Sequence, residues 1–183
     1  ESSQIYALDL ETTSLDYRDA AVLSMNFSFA PREAYVITFF TGENSEFENK
    51  ATMNAAFAQR LWNFLHSDHR VFFHNGKFDL RMLHEWFLRM VGRGIEIDKI
   101  RWYENMGMMG LLDENMSQKL KIMAPMYTDL RYKREDIEDV KGGKARKMAK
   151  QDLVRYAAID CDATRRIGLK FAKEMEEKGL WYG

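Results

Sequence analysis

Hydrophobic residues near the start of the chain occur in the short runs and two-residue repeats of β-strands. Residues 5–10 (IYALDL) form an apolar run of strand length. Residues 20–30 and 34–40 alternate and are rich in β-branched and aromatic residues, which predicts two further strands. The link between them contains Pro31, which stays outside the ladder because proline has no backbone N–H. The chain is therefore predicted to open with three antiparallel strands.

The next part of the chain changes to the helical repeat. Apolar residues at helical spacing predict amphipathic helices over 49–67 and 76–92. A compact apolar strand, 70–75, lies between them. Residues 96–103 predict another strand before the helical pattern returns. This alternation is typical of an α/β domain.

The last third contains three further helical segments of unequal quality. The segment 104–115 contains two glycines, which weaken a helix, and the segment 117–127 is predicted to break near Pro125. Residues 129–151 are the least regular part of the chain. A long helix over 151–179 is predicted to end at Gly179.

The order of elements predicts an α/β fold in which helices pack on a mixed sheet, with the antiparallel hairpin strands first and parallel strands after. The chain has 183 residues, which suits one domain spanning 1–183. It begins with Glu1 rather than methionine, and it ends in the apolar residues Leu180, Trp181 and Tyr182. We expect a domain cut from a longer protein.

Composition and charge act mainly by exclusion. The net charge of −1 excludes a uniformly basic nucleic-acid binder but permits a local basic patch. Residues 141–150 hold five basic side chains and no acid, which fits either steering of a phosphate backbone or a solvated loop. The single Cys161 excludes a disulfide framework and a multi-cysteine zinc site. One cysteine suits a reducing setting, so we expect a cytoplasmic protein. We expect no membrane partner, because no apolar run is long enough to cross a bilayer.

Two carboxylates lie at the end of the first predicted strand, in YALDLETTSLD (6–16). Asp9 and Glu11 project from one face of that strand, roughly 7 Å apart along it. Burying them as bare ions would be costly. Either this strand end is exposed and both acids are solvated, or a cation lies between them. Taken alone, the D-x-E spacing favours the solvated alternative.

Two later segments place further acids at suggestive positions. HNGKFD puts Asn75 at a strand end and Asp79 in the first turn of a helix, where the helix dipole favours a carboxylate. YAAID puts Tyr156 and Asp160 on one helix face, and Asp160 falls close to the apolar stripe of that helix. An ordinary N-terminal helix acid and an ordinary surface acid are the simpler alternatives.

Together these segments resemble the three sequence motifs of the DnaQ-like 3′–5′ exonucleases. D-x-E, N-x-x-x-D and Y-x-x-x-D occur in the family's order on fitting elements, and the resemblance covers nearly the whole chain. The tyrosine variant is similar to the proofreading domains of bacterial and phage family A DNA polymerases, most clearly in residues 7–16 and 155–164. The family's other branch has a histidine where this chain has Arg155. One departure is Glu104, where relatives often have aspartate.

The resemblance implies an RNase H-like fold and a metal-dependent active site. Two divalent ions, Mg²⁺ or Mn²⁺, would be held by Asp9, Glu11, Asp79 and Asp160, since these hard ions prefer oxygen ligands. Asp9 would be shared between the ions, and Asp79 would act largely through water. Tyr156 would orient the attacking water, because a group with a pKa near 10 is a poor base at neutral pH.

The resemblance also implies nucleic-acid contacts at four positions: Thr12, Leu15, Asn75 and Phe78. Leu15 would act as an apolar wedge between bases, and Phe78 would offer a face beside the last base. Ordinary core packing is the open alternative for both.

The function expected from the resemblance is 3′–5′ hydrolysis of single-stranded DNA ends during proofreading, with release of nucleoside 5′-monophosphates. A polymerase domain in the same chain and a monomeric state would accompany it. One alternative is a free-standing exonuclease that trims RNA or repair DNA. The other is an inactive scaffold that binds nucleic acid, which the presence of all four acids disfavours.

Overall fold

Five strands form one mixed sheet in the order β3-β2-β1-β4-β5. The computed structural model describes residues 4–39, 55–132 and 148–180. The strands are β1 (Ile5–Thr12), β2 (Val22–Ser28), β3 (Tyr35–Thr38), β4 (Arg70–Phe73) and β5 (Arg101–Glu104). β1, β2 and β3 pair antiparallel, whereas β4 and β5 run parallel to β1. The predicted α/β fold, with antiparallel strands first and parallel strands after, is confirmed.

Five helices flank the sheet. They are α1 (Ala55–Leu65), α2 (Gly76–Val91), α3 (Asn105–Leu112), α4 (Leu120–Tyr127) and α5 (Lys150–Glu177). None of the helices in the described ranges is both long and apolar enough to cross a membrane. Most of the basic stretch at 141–150 lies outside the described residues.

Three local predictions differ from the structure. Residues 97–99 form a 3₁₀ turn, so the predicted strand begins only at Arg101. Pro125 lies inside α4 instead of ending it, because the buried side chains of Met123 and Ala124 hold that turn against the core. The two glycines of α3 do not interrupt it either. Tertiary packing overrides local propensity at these places.

Alternating side chains of β1 supply the two faces of the sheet with different cores. Tyr6, Leu8 and Leu10 enter the core formed with α1 and α2. Ala7 enters the second core, which contains residues of α3, α4 and α5. Asp9 and Glu11 share the parity of Ala7, so they extend along the face covered by α5.

Helix α5 lies very close to the sheet. A Cβ built on Gly168 would come within 2.4 Å of Cδ1 of Phe72 in β4 and 2.9 Å of Oδ1 of Asn105 in α3. The Cys161 Sγ lies 3.2 Å from the carbonyl oxygen of Asn26 and can donate to it. This close approach brings the middle of α5 over the end of β1.

We expect Gly168→Ala to destabilise the protein. The added methyl group meets a buried ring and a buried amide, so overpacking of about 1–3 kcal/mol outweighs the gain in helix propensity of about 1 kcal/mol. Urea unfolding should show a lower midpoint with an unchanged slope. Lys173→Ala on the exposed side of the same helix is the control and should leave the midpoint nearly unchanged. An unchanged midpoint for Gly168→Ala would mean that α5 packs less tightly on β4.

Candidate active site

The pairing of β1 with β2 positions Asp9. Asp9 lies directly opposite Asn26 in the antiparallel register. Asn26 is fully buried, and its Nδ2 donates a 3.0 Å hydrogen bond to Oδ2 of Asp9. The register shifts after Glu11, which is an irregularity of the bulge type that re-aims the residues beyond it. Asp9 and Glu11 therefore face the same side, and the chain turns away immediately afterwards.

A tight turn from β4 into α2 brings the third acid to the same place. Asn75 adopts a left-handed conformation with φ of 65°, which asparagine tolerates better than most residues. A Cβ on the following Gly76 would lie 2.8 Å from Cβ of Phe73, so the turn requires glycine there. Asp79, in the first turn of α2, is buried, and its Oδ1 accepts a 3.1 Å hydrogen bond from the backbone N–H of Leu10. Asp79 is thus attached to β1 between the two acids of that strand.

Helix α5 supplies the fourth acid and the tyrosine. Asp160 is only 7 % exposed, and Tyr156, one turn earlier, is half-buried. Both line a cavity of about 920 Å³ together with Asp9, Glu11 and Asp79. The five residues predicted to be catalytic, which come from β1, α2 and α5, therefore meet in one cavity.

Residues 114–122 of the chain form the other part of the cavity wall. From this segment the cavity is lined by Glu114, Met116, Ser117, Gln118, Lys119, Leu120, Lys121 and Ile122. Two lysines, Lys119 and Lys121, therefore line the same cavity as the acids.

Burial, followed by repulsion from neighbouring carboxylates, dominates the electrostatics of Asp9, Glu11 and Asp79. Burial and then the charge of Asp160 raise the pKa of Asp9 to about 7, against the opposing effects of the Asn26 hydrogen bond and Lys121. Burial, followed by the charges of Asp9, Asp160 and Asp79, raises the pKa of Glu11 well above its ordinary value. Burial and the charge of Asp9 do the same for Asp79. The protein alone does not favour full ionisation of this cluster.

Tyr156 responds to the same environment. Burial and then the negative charge of Asp160 and Glu11 raise its pKa. The phenol is therefore neutral at physiological pH and keeps its proton. It can donate a hydrogen bond but does not act as a base there.

The donor set fits divalent Mg²⁺ or Mn²⁺. Four carboxylates are hard oxygen ligands, and a nearby cation would lower the pKa values that burial and repulsion raise. Among the described residues no three histidine, cysteine or acidic side chains are arranged, as they stand, to hold one ion. Asp9 accepts the hydrogen bond from Asn26 through one carboxylate oxygen, and Asp79 accepts the one from the N–H of Leu10 through one of its own. Because a carboxylate has two oxygens with several lone pairs, both acids remain able to bind a cation.

Glu104 has a defined structural role. Its Oε1 accepts hydrogen bonds from the N–H of Met106 at 2.9 Å and of Asn75 at 3.0 Å, and its Oε2 accepts one from Gly107 at 2.6 Å. The carboxylate caps α3 and ties it to the turn that precedes α2. It is absent from the cavity lining, in keeping with a role in packing.

The four residues predicted to contact nucleic acid fall into two pairs. Asn75 and Phe78 line the cavity. Thr12 and Leu15 do not; they lie where the chain leaves β1. The Thr12 hydroxyl donates to the Ser14 carbonyl at 2.8 Å, and Leu15 is 66 % exposed. The exposure of Leu15 argues against core packing, while Phe78 also packs against the core.

Sequence reasoning missed four residues beside the acids. Asn26 orients Asp9, and Lys121 acts on Asp9 and Glu11. Tyr132 is a second tyrosine beside Asp160, and burial followed by the charge of Asp160 raises its pKa. His74 lines the cavity, and burial lowers its pKa to about 4, so its ring is neutral. Only His74 belongs to a segment that the sequence analysis had singled out, HNGKFD.

Several solved structures have a similar fold. The chain superposes on Brucella melitensis NrnC bound to pGG with a TM-score of 0.68 and 19 % identity, covering 98 % of this chain and 76 % of that one. Escherichia coli RNase D gives 0.65 and 18 %, covering 97 % of this chain and 41 % of that one. The catalytic core of RRP6 from Trypanosoma brucei gives 0.68 and 12 %, with 97 % and 43 % covered. At these identities the likeness shows the fold alone, which is the expected RNase H-like fold.

Sequence comparisons place the chain in a family. No curated protein sequence gives a significant match. The model of a family described as 3′–5′ exonuclease matches residues 1–176, nearly the whole chain. With this match, the chain belongs to the 3′–5′ exonuclease family.

Proposed function

We propose that this protein is a metal-dependent exonuclease that removes nucleotides from the 3′ ends of RNA and short single-stranded oligonucleotides. The observation that carries the proposal is the meeting of Asp9, Glu11, Asp79 and Asp160 in one cavity with Tyr156. Each phosphodiester would be hydrolysed with release of a nucleoside 5′-monophosphate.

The proposed metal ligands are the four acids. When bound, divalent ions would activate water, neutralise charge on the phosphate and stabilise the leaving oxygen. Asp79 reaches the cluster from α2, and Asp160 reaches it from α5. The protein therefore holds its ligands on separate elements whose relative position depends on the packing of both cores.

The remaining proposed roles belong to neutral side chains. Tyr156 would hold the attacking water through its hydroxyl group, which keeps its proton in this environment. Asn75 would donate to the terminal nucleotide, and Phe78 would lie against its base. Leu15 would insert beside the penultimate base from the exposed end of β1, with Thr12 shaping the turn behind it.

RNA and short oligonucleotides are the preferred substrate class because of the structural neighbours. NrnC is described with the dinucleotide pGG bound, and RNase D is described as an exoribonuclease involved in structured RNA processing. DNA proofreading within a family A polymerase is the second candidate. It is favoured by the resemblance of residues 7–16 and 155–164 to proofreading domains.

One cleavage assay tests the direction of hydrolysis, its dependence on metal and the preferred substrate. We expect 5′-labelled single-stranded RNA to give a ladder that shortens from the 3′ end with Mg²⁺ or Mn²⁺ and remains intact with chelator. Matched DNA should be cut more slowly. Asp9→Asn should reduce the rate by at least about 10³-fold, because a neutral amide is a poor ligand for a hard cation.

The control for this experiment is Asp98→Asn, which removes an exposed carboxylate outside the cavity. It should retain the wild-type rate. Faster cutting of DNA than of RNA would favour the proofreading candidate. Full activity of Asp9→Asn would contradict the assignment of the site.

We expect divalent metal to stabilise the folded protein more at high pH than at low pH. The folded-state pKa of Asp9 is raised from 3.8 to about 7, so its favourable contribution to stability is present below pH 4 and lost as the pH rises through 7. Divalent ions would cancel the repulsion that then appears. We expect the rise in Tm with excess Mn²⁺ to be about 5 °C at pH 8 and much smaller at pH 5.5.

Asp9→Asn separates this effect from general ion binding. Without metal at pH 8 its Tm should exceed that of the wild type, since one repelling charge is gone. Its response to Mn²⁺ should be small at both pH values. A wild-type response that is independent of pH would be inconsistent with binding to these acids.

Tyr156→Phe tests the proposed role of the tyrosine hydroxyl. The ring remains but the hydroxyl that positions water is lost, so kcat should fall by about 10–100-fold with little change in KM. The rise in Tm with Mn²⁺ should match the wild type, because the carboxylates are unchanged. Tyr127→Phe, outside the cavity, is the control and should retain activity. Equal kcat values for Tyr156→Phe and wild type would remove Tyr156 from the mechanism.

A further inference from the structure

Lys121 is a basic residue within the acidic cavity. It lies in the first turn of α4, is half-buried and lines the cavity with the four acids. Its Nζ lies 4.6 Å from the centroid of the Tyr156 ring. Its charge acts on both Asp9 and Glu11. The ammonium group is thus directed toward the place where the proposed chemistry occurs.

Among the residues that the structure describes, no structural ion pair accounts for this lysine. Within residues 4–39, 55–132 and 148–180, Lys121 makes no salt bridge. By contrast, Lys99 and Lys178 each pair with a glutamate on the surface. The charge of Lys121 lowers the pKa values of Asp9 and Glu11, yet within the described ranges no salt bridge joins it to either acid. An ammonium group in this position attracts an anion that enters the cavity.

The charge balance of the proposed site indicates what kind of partner Lys121 would have. Four carboxylates would be neutralised by two divalent ions, leaving no negative charge on the protein side for a further cation. Lys121 would then oppose metal binding through repulsion, unless an anion accompanied the metal. A phosphodiester brings one negative charge, which matches the single positive charge of Lys121.

We propose that Lys121 binds the phosphate of the 3′-terminal nucleotide from the α4 side of the cavity. The inference rests on the proposed function, because it places the substrate's terminal linkage beside the four acids. Lys119 lines the same wall but is exposed, and it would add a weaker, more strongly screened contribution. Lys121 is a substrate-binding residue in this scheme and does not transfer a proton.

Binding of two otherwise identical single-stranded oligonucleotides tests the proposal. One has an ordinary terminal phosphodiester, and the other has a neutral methylphosphonate at that linkage. Ca²⁺ replaces Mg²⁺ to slow hydrolysis, and fluorescence anisotropy gives Kd. We expect Lys121→Met to weaken binding of the ordinary strand about tenfold and to change binding of the neutral strand less than twofold. The slope of log Kd against log salt should fall by about 0.7 for the ordinary strand.

Two variants serve as controls. Lys121→Arg keeps the charge and should recover most of the binding. Lys173→Met removes a lysine that lies thirteen residues beyond Asp160 on α5, about 20 Å along the helix, and should behave like the wild type. Equal weakening of both strands by Lys121→Met, or no weakening of the ordinary strand, would overturn the proposal.

Metal binding without nucleic acid provides a readout of opposite sign. Lys121→Met should bind Mn²⁺ several-fold more tightly by calorimetry, since one repelling charge has been removed. A merely structural lysine would make both metal and strand binding weaker when replaced, and that result would count against the proposal. If the wild type cleaves no strand while the binding results hold, the proposed function fails and the phosphate contact stands. If the wild type cleaves and binding is unaffected, the phosphate contact alone fails.

Discussion

Repulsion among four partly or fully buried carboxylates is the constraint on which the rest of this structure depends. Burial and the charges of neighbouring carboxylates, including Asp160, raise the pKa values of Asp9, Glu11 and Asp79 in a cavity where water screens these groups poorly. Such a cluster is unfavourable for folding, so the surrounding scaffold must hold it together. Two separate cores, the tight turn before α2 and the close contact of α5 with β4 do so. Residues that never touch the substrate therefore offset the unfavourable free energy of bringing the four acids together.

The four acids could be proposed from the sequence because three motifs together resemble those of a known exonuclease family in order and spacing, whereas D-x-E alone favoured solvated acids. D-x-E on a strand and Y-x-x-x-D on a helix specify side-chain directions before any tertiary contact is known. The mixed sheet with antiparallel strands first also followed from the hairpin at the start and the alternation afterwards, but the order of the five strands did not. What remained open was whether Asp79 and Asp160 approach β1, since that depends on how the helices pack.

The parts that could not be predicted depend on tertiary register. Asn26 meets Asp9 only because β2 pairs with β1 in one register, and a shift of one residue would turn its side chain to the other face. Lys121 enters the cavity because α4 packs through Met123 and Ala124 on the second core. Glu104 appeared as a departure from the motif pattern, yet it binds three backbone N–H groups. None of these contacts has a signal in the local sequence.

The position of the one thiol has a practical consequence. Cys161 is fully buried between α5 and the β1–β2 pair, and it is the only cysteine in the chain. A thiol reagent therefore cannot reach it until α5 lifts from the sheet, which is also the motion that would separate Asp160 from Asp9. The rate at which a thiol reagent labels Cys161 would therefore report how often α5 separates from the sheet and the cavity opens. No engineered cysteine is needed for this measurement.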